Sequence, residues 1–160
     1  MRPGCAVMRT IRFAAIALLG AASCTDAVSP THRPTDLEAA RQQWQAQNLH
    51  TYAFTLQRSC FCGNLHPLYV AVLSDTVAGV IDLETTETVD RSLGETVDDL
   101  FAFIQTAIDR PAKLIRANYD TERGYPTEID YDGSAQIADD EIFYRVSDVH
   151  PISPQRASVH

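Results

Sequence analysis

Between Thr96 and Pro111 the apolar residues Val97, Leu100, Phe101, Ile104 and Ile108 recur at helical spacing. A helix with one apolar stripe must bury that stripe against another element, and this chain offers strands on both sides of it. Thr96 stands where an N-cap belongs. Asp98 and Asp99 follow in the first turn, where the helix dipole favours acids, and Pro111 closes the segment. Upstream, Tyr52, Phe54 and Leu56 alternate with Ala53, Thr55 and Gln57, which predicts a strand over Thr51–Ser59 with one buried face. Leu68–Leu73 and Val77–Leu83 read as two more strands joined by a turn at Ser74-Asp75-Thr76. Glu84–Gly94 is polar and is expected to be an exposed loop. Downstream, strands are predicted over Leu114–Tyr119, Thr127–Asp132 and Glu141–Val149. A first helix is predicted over Asp36–Asn48, opened by a capping box from Thr35 to Glu38. Leu37, Ala40 and Trp44 form its stripe, and Trp44, the only tryptophan, is read as core.

The expected fold class is α+β: an antiparallel sheet with helices on one face, in the order helix, three strands, helix, three strands. A chain of 160 residues, 45% apolar and 21% charged, suits one globular domain that needs no disulfide framework. That domain is assigned to residues 35–150, with 151–160 as a flexible tail.

The first 23 residues read as an export signal. Arg2, Arg9 and Arg12 precede the apolar run Phe13–Gly20, and Ala21-Ala22-Ser23 lead into Cys24. Either Met1 or Met8 serves as a start. The apolar run is far below the ~20 residues a spanning helix needs. The Ala-Ala-Ser-Cys ending resembles a bacterial lipobox, which implies cleavage before Cys24 and acylation of its thiol. Residues 24–34 then form the lipidated cysteine and a tether rich in small and polar residues, with Pro30 and Pro34. The expected location is the bacterial cell envelope, with a lipid anchor in the membrane. Thr25, by the sorting rule of such lipoproteins, implies the periplasmic face of the outer membrane in a diderm cell. Removing the signal leaves ten basic residues against 21 acids, or −11 by the count that gives −8 for the whole chain. Such acidity argues against nucleic acid as a partner.

Several pieces of the mature chain resemble a bacterial family catalogued only as a domain of unknown function, whose members are often exported or lipidated. The pieces are Trp44, Tyr52-Ala-Phe54, Cys60-Phe-Cys62, Val97-Asp-Asp-Leu-Phe101, and Tyr119-Asp120 followed by Gly124-Tyr125-Pro126 and Ile129-Asp130. Asp139-Asp140-Glu141 and Tyr144-Arg-Val146 close the pattern. The likeness covers about Asp36 to Val149 and implies no activity. The element order is also similar to the tandem helix-plus-sheet layout of secreted beta-lactamase inhibitor proteins and of PepSY modules, a likeness of layout alone.

Three groups of residues bear on chemistry. Cys60 and Cys62 are the only cysteines left once Cys24 is acylated. In an oxidising compartment they are read first as a disulfide, with a metal site, a redox couple and unpaired thiols as alternatives. Residues two apart on an extended strand lie roughly 6.5–7 Å apart at Cα, so a disulfide requires a bend at Phe61. Adding His66 gives two thiolates and an imidazole, a soft set suited to copper(I) or zinc, with His50 or His150 as a further ligand by composition alone. Glu128, Asp130 and Asp132, with Gly133 and then Asp139, have the oxygen spacing of a calcium loop. Their flanks read as strands, and a polar hairpin is the simpler reading. Tyr125 and Tyr131 are candidates for contact with a partner. Tyr125 precedes Pro126 and is also placed to pack over the turn.

No Gly-x-Ser-x-Gly, His-Glu-x-x-His, phosphate-cradling glycine loop or dinucleotide fingerprint occurs in the sequence, and no catalytic residue is assigned. A pairing of Cys60 with His150 as nucleophile and base has nothing in the spacing to support it. No cofactor is expected beyond the metal-ion alternatives. These readings give a membrane-tethered, non-catalytic domain that binds an envelope protein or ligand. The alternatives are a metal- or redox-handling protein using Cys60 and Cys62, and an inhibitor or accessory domain of an extracytoplasmic enzyme.

Overall fold

A computed structural model describes residues 34–60, 66–110, 112–134 and 140–153. Residues 1–33 of the expected signal and tether (Cys24 among them), residues 154–160 of the expected tail, and Cys62 and Asp139 lie outside the described residues. Helix α1 spans Pro34–Ala46 and α2 spans Val97–Asp109. The strands are β1 Tyr52–Cys60, β2 Leu68–Leu73, β3 Thr76–Asp82, β4 Thr88–Val89, β5 Leu114–Tyr119, β6 Pro126–Asp132 and β7 Ile142–Pro151. They form one antiparallel sheet in the order β4-β3-β2-β1-β7-β6-β5.

This corrects the expected fold class. Strand outweighs helix, 44% to 25%, and four strands rather than three precede α2. The added strand comes from the segment expected to be a loop. Asp82 caps a tight turn, its Oδ1 accepting from the backbone N–H groups of Glu84 and Thr85 at 2.8 and 3.0 Å. Thr86 takes a left-handed φ of 62°, and Thr88–Val89 then pair with Ile81 and Val80. A short 3-10 turn, Arg91–Leu93, leads on to α2. Nor is the sheet a tandem of two modules. The first and last strands, β1 and β7, are neighbours at its centre and join both halves.

The caps show why the helices sit where they do. Thr96 Oγ1 accepts from Asp99 N–H at 3.0 Å, and the Asp99 carboxylate accepts from Thr96 N–H at 2.8 Å, a reciprocal capping box. Helix α1 starts at Pro34, two residues before the expected Asp36, and proline is well tolerated at a first helical position. It ends two residues short of the expected Asn48, because Asn48 adopts a left-handed φ of 50° that stops the helix.

Register puts Phe54, Leu56, Val70, Val146, Tyr144 and Ile129 on one face of the sheet. Both helices cover that face. Trp44 of α1 meets the Tyr52 ring edge-on at 5.3 Å, and Phe103 of α2 meets Tyr144 at 5.4 Å. Tyr52 Oη also accepts from the Val97 backbone N–H at 3.1 Å, which fixes the start of α2 to the first residue of β1. Trp44 is buried to 4% exposure, as core.

Candidate functional site

The opposite face of the sheet carries no helix among the described residues. Alternation along β5, β6 and β7 sends Arg116 and Asn118, Glu128 and Asp130, and Phe143 and Arg145 to this side. Register then pairs them by charge. Arg145 Nη2 lies 3.2 Å from Glu128 Oε1, and Asn118 Nδ2 donates to Glu128 Oε2 at 3.1 Å. Arg116 Nη1 lies 3.7 Å from Asp130 Oδ2. The Arg145 guanidinium also sits over the Phe143 ring, 5.5 Å from its centroid. Arg116, Asn118, Glu128, Asp130 and Phe143 line a shallow depression of about 320 Å³. The result is an ordered surface of alternating sign with one aromatic ring in it.

A model of a family of unknown function, DUF6174, matches residues 36–151. The chain belongs to this family. No curated protein and no solved structure matches it. The DUF6174 domain takes in every element from α1 to β7, and so the whole charged surface. The family carries no assigned activity.

The remaining candidates are placed as follows. Glu128, Asp130 and Asp132 share the uncovered face, and each carboxylate has its own base: Arg145, Arg116 and Lys113 in turn. Asp132 is buried to 7% exposure, and its Oδ1 has no hydrogen-bond partner. A calcium ion at this hairpin would have to displace those bases. His66 is held between two acids of the DUF6174 domain, Nδ1 at 2.7 Å from Asp82 and Nε2 at 3.3 Å from Glu84. The Asp82 hydrogen bond raises its pKa, and with both ring nitrogens engaged the imidazole has no lone pair turned to a metal. Among the described residues no group of three His, Cys, Asp or Glu is placed to hold a metal ion. His50 Nδ1 pairs with Asp75 at 2.8 Å, tying down the turn in which Ser74 and Asp75 both have positive φ. His150 Nδ1 meets the Asp148 carbonyl at 2.6 Å. Neither is near Cys60 in register, which closes β1 opposite Ile142.

Tyr125 is 9% exposed and packs edge-on to Trp44 at 6.3 Å, so packing over the turn accounts for it. Tyr131 is half-buried against Phe103 at 5.2 Å, beside a depression of about 180 Å³ that also touches Thr106, Ala107 and Arg110.

Sequence reasoning missed two groups. Arg116, Asn118, Phe143 and Arg145 belong to the paired surface, and only their alternation along the strands signalled it. A second group lies on the covered face, where Tyr144 Oη donates to Glu95 Oε1 at 3.2 Å beside Arg58. Burial pushes Tyr144 up to about 12 and raises Glu95 above the usual carboxylate range. Glu95 Oε2 and Arg58 Nε are buried there without a partner. No helix among the described residues is long and apolar enough to cross a membrane.

Proposed function

We propose that this chain is an exported, lipid-anchored binding domain, without catalytic activity of its own, that recognises an envelope protein through the uncovered face of its sheet. The observation that carries the reading is that face itself. Paired charges fix the side chains of Arg116, Glu128, Asp130 and Arg145 in a set order around Phe143 and leave their outer surfaces to solvent. Exposed ion pairs add little stability, about 0–1 kcal/mol each, so a ladder of them serves recognition better than folding. The lipid anchor rests on Arg2, Arg9, Arg12, the apolar run and Cys24 in the sequence.

The test is cross-linking in intact cells with the full-length chain, comparing wild type with Phe143→Asp and Arg145→Glu. An adduct of defined mass in wild type that both substitutions abolish, with their thermal melts unchanged, supports the reading. An adduct that survives both substitutions sinks it. Mass analysis of the same material checks the anchor: acyl mass on Cys24 that Cys24→Ser removes is the expected result.

Cys60 and Cys62 are assigned to a structural disulfide. What supports the pairing is that these are the two cysteines left once the signal is removed and Cys24 is acylated, in a compartment where two thiols should pair. A chain mass two protons below the reduced value is expected, and a metal adduct lost on replacing the cysteines would favour metal handling instead. The inhibitor alternative loses its footing, since it rested on a tandem layout and the sheet is one body joined through β1 and β7.

A further inference from the structure

The two edges of the sheet are finished differently. Beyond β3 the edge is blunted: β4 pairs only at Val80 and Ile81. The chain after the 3-10 turn packs so closely there that a Cβ on Gly94 would lie 2.8 Å from the Val80 side chain. Strand β5 at the other end is six residues long, contains no proline, and is bulged only between Asn118 and Tyr119. Its outer backbone edge pairs with no strand among the described residues. An edge strand with no strand beyond it is a template for another strand, and Arg116 is the one charged side chain within this one.

We propose that β5 is a dimerisation edge: it pairs antiparallel with the same strand of a second copy of this chain, about a two-fold axis at Ala117, joining two seven-stranded sheets into one continuous sheet. Register carries the choice of occupant. In an antiparallel pair, residues directly opposite share a face, so the axis must pass through a residue and not between two. Centring on Arg116 would set two guanidinium groups face to face. Centring on Ala117 sets the smallest side chain of the strand opposite itself. Arg116 then lies opposite the partner's Asn118, and Ile115 opposite the partner's Tyr119.

The row on the uncovered face then reads Arg145, Glu128, Asn118, the partner's Arg116, the partner's Asp130 and the partner's Phe143. Base, acid, amide, base, acid is the alternation that each chain already carries, continued across the axis without like charges meeting. The bases of the edge do not repel one another, because Arg116 is paired with Asp130 and Lys113 with Asp132 on the adjoining strand. On the covered side Ile115 and Tyr119 form a β-branched and aromatic cross-strand pair, a favoured combination. The net charge of −11 left after removal of the signal opposes association over long range, but at physiological salt it is screened beyond roughly 8 Å.

The test uses the full-length chain in the bacterial envelope, oxidised with copper phenanthroline and run on a non-reducing gel. Across the axis the two Ala117 Cα atoms would be about 4.5–5.5 Å apart, within disulfide reach. Ala117→Cys is expected to give a band of twice the chain mass that reductant removes. Wild type and the exposed-site control His150→Cys are expected to stay single. A dimer band from Arg116→Cys but not from Ala117→Cys would overturn this register. Sedimentation of the detergent-extracted wild-type chain gives a readout that needs no substitution. A mass of two chains is expected, and Asn118→Arg, which sets a guanidinium opposite the partner's Arg116 in both symmetry-related rows, should weaken the association roughly tenfold. A wild-type chain that stays single at about 100 µM, in the range where a pair weaker than ~10⁻⁴ M would be dissociated, overturns the dimer.

Discussion

Gly124→Ala is expected to be among the most damaging single-atom changes in this domain. Gly124 has a φ of +83°, in the left-handed region, where a β-carbon costs about 1–2 kcal/mol. The second cost is contact with α1. A Cβ built on Gly124 overlaps the Ala40 carbonyl oxygen and lies 2.9 Å from both the Gln43 Cβ and the Trp44 backbone nitrogen. Two of those three atoms are helix backbone, so relief requires α1 to move off the turn, an overpacking cost of about 1–3 kcal/mol. The loss of unfolded-state freedom on replacing glycine returns only about 0.4–1 kcal/mol. The net expectation is a loss of about 2–4 kcal/mol, a large share of the 5–15 kcal/mol that holds a typical domain together. Urea unfolding followed by Trp44 fluorescence measures it directly, since that indole packs on Tyr52 and Tyr125 next to the site. Gly124→Asn separates the two costs, because asparagine tolerates a left-handed φ but brings the same β-carbon. Asparagine should recover at most the strain and leave the contact cost. An alanine variant with the wild-type urea midpoint would refute the close contact between α1 and the turn.

Two further changes test other joints. Tyr52→Phe removes the buried acceptor of the Val97 N–H and leaves that donor unpaired, so a loss of about 1–3 kcal/mol is expected in the same urea assay; an unchanged midpoint would show that α2 starts independently of β1. The His66–Asp82 pair predicts a pH window. Hydrogen bonding to Asp82 raises the His66 pKa, so its stabilisation is full below the unfolded value of about 6.5 and is lost as pH rises through the raised folded value. Asp82 is lowered, first by the Thr85 backbone N–H, so its own contribution is present above the unfolded value of about 3.9 and is lost as pH falls through the folded one. The gap in stability between wild type and His66→Gln should therefore shrink on going from mildly acidic to alkaline buffer. A gap that widens, or an NMR midpoint for His66 at or below the value of a free imidazole, would contradict the pairing.

Local periodicity made most of the elements legible. The stripe of α2, its Thr96 cap and the alternation of β1, β2, β5 and β6 all follow from side chains a few residues apart. What was not legible depends on partners far away in sequence. Thr88–Val89 is too short to alternate, and becomes a strand only because the Asp82 turn brings it against Val80 and Ile81. That β1 neighbours β7 rather than heading a separate module is settled by pairing between residues more than eighty positions apart, which no local pattern encodes.

The candidate site divides along the same line. Ligand-type residues attract notice in a sequence because of what they do when free, and here most of the described ones are engaged: His66 by Asp82 and Glu84, His50 by Asp75, and Glu128 by Arg145. Arg116 and Arg145 gain their meaning only through the registers of β5 on β6 and β6 on β7, which set each beside an acid. A surface built that way has little net charge of its own even on an acidic chain. The binding proposed for this face would then come from the order of the charges and not from their sum, and a partner would present the opposite order at strand spacing. A basic partner chosen by total charge alone would be steered toward the chain by its acidity but would find no register on this face.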